Sequence, residues 1–192
     1  MHYTYGGRRV TGKIETVVSK DPENIYIHAA AFPVNYAQFY LLDRNLHRTV
    51  HPQPKAPGES HAGILRTVPG GAFLVTGLNS GVTDLTVSVH AREPDPLLWD
   101  YEDAVEVSLQ VDTETVHVSA WDGGGKLIAL PPMPAGAGWY RLRYHAPHMD
   151  QAFDLHSAVS IDAFHLQIWA ETQSDPEVLQ ITSNRARYWL SV

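Results

Sequence analysis

The sequence predicts an all-β protein, an antiparallel β-sandwich of about 8–10 strands in one domain spanning residues 1–192, with a short C-terminal helix. Three observations point there. Apolar residues recur with period two over most of the chain, the strand period. Glycine- and proline-rich stretches separate those runs at turn-like intervals. With 192 residues, 44% apolar and 18% charged, the chain is long and apolar enough to bury a core without staples.

The elements follow in order. Residues 9–19 place Val10, Ile14, Val17 and Val18 around Gly12, a bulged-strand pattern. Residues 24–31 and 36–42 read as two strands broken by Pro33, and 72–76 as a short apolar core strand. Five later runs alternate cleanly. They are 82–90, 104–110, 115–121, 139–145 and 163–169. In these, Leu85, Val87, Val89, Val105, Val107, Leu109, Tyr140, Leu142, Tyr144, Phe164, Leu166 and Ile168 face inward. Glu106, Ser108, Arg141, Arg143, His145, His165 and Gln167 take the opposite parity, which an antiparallel sheet turns to water. Asp122-Gly-Gly-Gly125 reads as a hairpin loop, 51–62 as a proline-rich surface loop, and 131–138 and 147–162 as irregular connections. Near the C-terminus, Ser174-Asp-Pro-Glu177 has capping-box form ahead of Val178, Ile181, Arg185 and Trp189 at helical spacing. The run VLQIT fits equally a last strand followed by a short helix through Ala186 and Trp189.

Composition removes whole classes of function. Cysteine is absent, which excludes disulfides, thiolate metal sites and cysteine nucleophiles. A formal charge of −7 argues against non-specific nucleic-acid binding. No apolar run approaches the ~18 residues of a membrane span. No apolar h-region follows the N-terminal MHYTYGGRRVTGK, so a soluble, cytoplasmic protein is expected.

Enzymatic motifs are weak. Eleven histidines raise metal binding, yet H-x-H is missing, and the nearest cluster is His145-Ala-Pro-His148 with Asp150 and His156. A polar strand end running into a loop explains it as well, and no cofactor is called for. Gly123-Gly-Gly-Lys126 lacks the strand–helix frame of a phosphate loop, and Gly77-Leu-Asn-Ser80-Gly81 misplaces the serine of a nucleophile elbow. Paired carboxylates of a glycosidase cannot be recognised from spacing alone.

The strongest feature is acidic. Between residues 93 and 114 stand Glu93, Asp95, Asp100, Glu102, Asp103, Glu106, Asp112 and Glu114, with no lysine or arginine. Asp100, Glu102, Glu106, Asp112 and Glu114 share the parity that faces solvent if Val105, Val107 and Leu109 are buried. Trp99 and Tyr101 lie just ahead on the core parity. Such a row is either a solvated face screened by Arg141 and Arg143 or a docking face for a basic partner. The candidate partner-binding residues are Asp95, Asp100, Glu102, Asp103, Glu106, Asp112 and Glu114. An alternative is a small-ligand or carbohydrate platform from Trp121, Trp139 and Trp169, which stand at strand ends opposite the apolar face. Burial at the sandwich ends accounts for them too.

Trp99-Asp-Tyr-Glu-Asp-Ala-Val-Glu106-Val-Ser, Trp139-Tyr-Arg-Leu-Arg-Tyr-His145 with Met149-Asp150, Leu166-Gln-Ile-Trp169 and Tyr188-Trp189 resemble an uncharacterised actinobacterial β-rich protein family over Ala72 to Trp189. More distantly, Tyr36-Ala-Gln-Phe39 with the acidic-then-Val-Glu-Val strand is similar to the competence protein J family, which includes an inhibitor of a DNA-entry nuclease. That resemblance implies a non-enzymatic, protein-binding domain of immunity or nuclease-inhibitor type. Its partner would be a basic protein such as a nuclease or toxin, with no nucleic acid and no membrane bound. It supplies no catalytic residues.

Overall fold

A computed structural model describes residues 24–43, 58–121 and 127–192. The strand expected at 9–19, most of the 51–62 loop and the Asp122–Lys126 turn lie outside the described residues. Thirteen strands and one helix are present among those described: β1(Asn24–Asn35), β2(Gln38–Asp43), β3(Ser60–His61), β4(Leu65–Val68), β5(Gly71–Val75), β6(Ser80–His90), β7(Asp103–Val111), β8(Val116–Ala120), β9(Leu127–Ala129), β10(Gly138–Ala146), β11(His156–Ser157), β12(Ala163–Ala170), β13(Glu177–Ile181) and α1(Asn184–Ser191).

The strands do not form the antiparallel sandwich that the alternation suggests. They form one curled, mixed sheet, a half-barrel. One half runs β13-β7-β10-β12-β6-β1. The other places β2 between β5, which leads to β4 and β3, and β8, which leads to β9. The halves meet at a β1–β2 hairpin with a single bridge, Asn35↔Gln38. Its two turn residues, Tyr36 and Ala37, both take positive φ, 57° and 54°, the signature of a type I′ turn. The curl brings β4 back to β7, where the Thr67 hydroxyl donates to Ser108 O at 2.9 Å and Gly70 N donates to Gln110 O at 2.8 Å.

Antiparallel pairing fails where β12 lies parallel to β6, from Ala163↔Asp84 to Trp169↔His90. Period two cannot distinguish the two pairings, because both alternate faces. Pro33 does not break β1, which continues to Asn35. The strand is irregular between Ala29 and Phe32, and among the described residues its second side pairs only at Asn35, an edge where a proline is tolerated. Of the two readings near the C-terminus, the last strand followed by a short helix holds and the capping-box helix does not. Residues 177–181 form β13, and the helix starts after Ser183, whose hydroxyl accepts from Ala186 N at 3.0 Å.

Rings from both halves fill the concave side. Phe39 of β2 meets Tyr144 of β10 and Phe164 of β12 at centroid separations of 5.9 and 6.4 Å. The Tyr144 hydroxyl donates to Val75 O at 2.9 Å. The inward residues named from alternation, Leu85 through Ile168, are all buried there.

Candidate docking edge

The opposite face of β7, β10, β12 and β6 carries the polar parity, and it too is buried. The reason is topological. Strands β6 and β7 run in the same direction with β12 and β10 between them, so the chain leaving β6 must return across the sheet before β7 begins. Residues 91–102 make that return as a strap over the polar face. Side chains below hold its backbone. Arg143 donates to Pro94 O at 2.6 Å, Gln167 to Asp95 O at 3.2 Å, and Gln180 to Tyr101 O at 2.8 Å. Leu97 N donates to His145 Nε2 at 3.1 Å, which fixes that ring as a neutral acceptor.

Beneath the strap, Glu106 lies between two guanidiniums. Its carboxylate accepts from Arg141 Nε at 2.9 Å and Arg143 Nε at 2.5 Å. Glu106 is 5% exposed and Asp103 is fully buried, so neither of these candidate partner-binding residues faces solvent, Glu106 despite its solvent parity. Asp103 binds the start of the helix, accepting from Thr182 N, Ser183 N and Ser183 Oγ at 2.8, 3.0 and 2.5 Å. Burial without partners would be costly for either carboxylate, and here both are saturated. Burial also lowers the pKa values of His145 and His165 to about 4 and about 3.

The rest of the acidic run remains outside. Asp95, Asp100, Asp112 and Glu114 are exposed, and Glu102 is partly so, 3.7 Å from His148. They do not form one strip. Asp95, Asp100 and Glu102 sit on the strap that precedes β7. Asp112 and Glu114 lie past its other end, about 26 Å along at about 3.3 Å per residue. The second turn is tied down by Asp43, which accepts from Asp112 N at 2.6 Å and Thr113 N at 2.9 Å.

Trp99 is displaced most from its expected place. A turn in which Asp100 N donates to Leu97 O at 3.2 Å projects it from the strap, and its side chain is fully exposed at 101% of the reference area. Large aromatic rings seldom stand free of all packing. Along the strap this one stands between the exposed residues Asp95 and Asp100.

The tryptophan platform does not assemble. Trp169 is 2% exposed, with the Arg143 guanidinium 4.8 Å above its ring and its Nε1 donating to Glu171 at 2.6 Å. Trp139 is the second residue of β10, paired with Gln110 of β7. Trp121 follows β8 in the other half, against the exposed ring of Tyr36 at 4.6 Å. The His145/His148 cluster separates as well. His145 is interior while His148 is exposed, and no group of three or more metal-ligating side chains is gathered among the described residues.

No protein-family model matches the chain, and no curated protein matches it. Two solved structures do. One is the crystal structure of ComJ, inhibitor of the DNA degrading activity of NucA, from Bacillus subtilis, at 15% identity and a TM-score of 0.48. The other is described as crocagin biosynthetic gene J, at 12% identity and a TM-score of 0.48. Each alignment covers 78% of this chain and 96% of the other.

The strap was missed by periodicity, since it has none. Its signal was length. Twelve residues between two well-patterned strands exceed a hairpin loop and suit a crossover. No helix among the described residues is long and apolar enough to cross a membrane.

Proposed function

We propose that this chain is a non-enzymatic, cytoplasmic domain that docks a basic protein of the nuclease or toxin class, as an inhibitor or immunity protein would. The docking edge is the strap, with Trp99 as anchor and Asp95, Asp100 and Glu102 as the charged surround. The full exposure of Trp99 among carboxylates carries this reading. A central aromatic contributes affinity by leaving water, while surrounding carboxylates steer a basic groove into place by standing where phosphates would lie. Asp112 and Glu114, at the far end of β7, add to the steering field without sharing the contact. ComJ is described as an inhibitor of NucA, and the role proposed here is of that kind. Its support is Trp99 and its carboxylates.

The test is capture from native lysate at ~50 mM salt with wild type, Trp99→Ala and a triple variant, Asp95→Lys with Asp100→Lys and Glu102→Lys. The expected result is a basic protein held by wild type, released by salt, and lost from both variants. Equal capture by wild type and Trp99→Ala contradicts the reading. A sugar-binding role, resting on the Tyr36–Trp121 pair, predicts instead a fluorescence change with oligosaccharides that Trp121→Ala abolishes.

A further inference from the structure

An open cavity of about 400 Å³ lies beside the strap, between its end and the excursion formed by residues 147–162. Three elements bring a carboxylate to it: Asp84 from β6, Asp100 from the strap, and Asp162 just ahead of β12, with Tyr101, His148 and Ser160 completing the wall. None of the three acids forms an ion pair with a lysine or arginine among the described residues. Asp84 accepts from Ala31 N at 3.2 Å. Asp162 is only 5% exposed, and its two oxygens differ. Oδ1 accepts from the Thr83 hydroxyl, while Oδ2 is buried and has no partner. A buried carboxylate oxygen without a donor is costly, and native proteins rarely leave one. Burial, opposed in part by Thr83, pushes the Asp162 carboxyl above its usual range.

We infer that this cavity receives the side chain of one arginine from the docking partner, its guanidinium entering among Asp84, Asp100 and Asp162. The inference rests on the docking role proposed above and names the group that the edge would select. A bare metal ion fits poorly, since the cavity is many times an ion's volume and no ligand group is gathered for one among the described residues. A guanidinium fits on chemistry. It is planar, weakly hydrated, and carries five donors suited to carboxylates approaching from several sides. Its methylene stem and π-face have Tyr101 in the wall. The wall itself is firmly placed. Gly81 takes φ 134°, and any Cβ there would collide with Ser157 O, so the excursion seats directly on β6. Asp150 anchors its other end by accepting from Asn184 N at 2.9 Å and Arg185 N at 2.8 Å.

The test uses the full chain, with Nα-acetyl-arginine amide as probe and the citrulline amide as a neutral isostere. Carboxyl carbon signals of aspartate are followed by NMR. The expected result is saturation by the arginine probe in the millimolar range, with the Asp162 titration displaced to lower pH. The citrulline probe should have no effect at equal concentration. Asp162→Asn preserves shape and should weaken arginine binding about tenfold or more. Asp84→Asn is the second variant, should the first fail to fold. Equal responses to both probes, no saturation, or unchanged affinity in the variants would overturn the inference. The two proposals fail separately. Loss of partner capture in Trp99→Ala alongside an unresponsive cavity removes the arginine site alone. Arginine binding that depends on Asp162, with capture indifferent to Trp99, sustains the site and removes the docking edge.

Discussion

Asp103 and Glu106 lie within a few residues of Asp100 and Glu102, in one acidic run, and the fold gives the two sets different work. Glu106 is enclosed by Arg141 and Arg143, and Asp103 by the backbone of residues 182 and 183. On the strap, Asp95 and Asp100 meet water beside a fully exposed tryptophan. The difference lies in what covers the sheet. Alternation assigns residues to a face, but exposure of that face depends on whether a later segment crosses it. A parallel relation between β6 and β7 compels the crossing, so polar residues beneath become internal and those on the crossing segment become the new surface.

Substitution should separate the two sets sharply. The largest loss of stability is expected from Glu106→Ala, which leaves the buried guanidiniums of Arg141 and Arg143 with only the exposed carboxylates of Glu177 and Glu93 as ionic partners; denaturant unfolding should show about 3 kcal/mol. Asp103→Ala should cost less, about 1–3 kcal/mol, because the orphaned groups are neutral donors at the helix start. Trp99→Ala should change stability by no more than about 0.5 kcal/mol, as expected for a side chain in water.

Acid sharpens the comparison further. The folded pKa values of His145 and His165 lie below that of an unfolded histidine, so the unfolded chain takes protons first as pH falls. Stability is therefore intact above about pH 6.5 and declines toward about pH 4 for His145 and about pH 3 for His165. Each histidine contributes a slope of up to about 1.4 kcal/mol per pH unit. Arg143, His90 and Tyr101 surround these rings and offer no anion to offset the charge. His165→Gln should flatten the acid limb of a stability-against-pH curve; an unchanged limb would show that the strap opens before the rings protonate. A small change is also expected at Glu93, whose exposed carboxylate bonds Arg143 at 2.8 Å, with Glu93→Ala costing about 1 kcal/mol or less.

Much of the strand content was legible in the chain. The alternating runs ending at His90, Gln110, His145 and Trp169 became β6, β7, β10 and β12, because burying Val, Leu and Tyr on one side fixes register strongly. The second face was not legible. Arg141, Arg143 and Gln167 look solvent-facing in any local window, and their partners, Pro94 O, Asp95 O and Asp175 O, come from connections without periodicity. The acidic edge was half legible. Composition marked the carboxylates, but separating Asp100 from Asp103 required the strap. Trp99 was assigned to the core on parity alone, and parity has no meaning in a turn. Asp162 gave no sequence signal, since its importance lies in an oxygen left without a donor.

The central claim is that the strap, not the acidic strand, is the docking surface. Its most direct test is the affinity of the salt-released partner for wild type and for Trp99→Ala, measured in solution at two salt concentrations, with thermal midpoints recorded alongside. The account predicts equal midpoints and a loss of affinity of about thirtyfold or more, an effect of about 2 kcal/mol at a central aromatic. It also predicts a weaker wild-type complex at the higher salt. An unchanged affinity in a fully folded Trp99→Ala protein would contradict it.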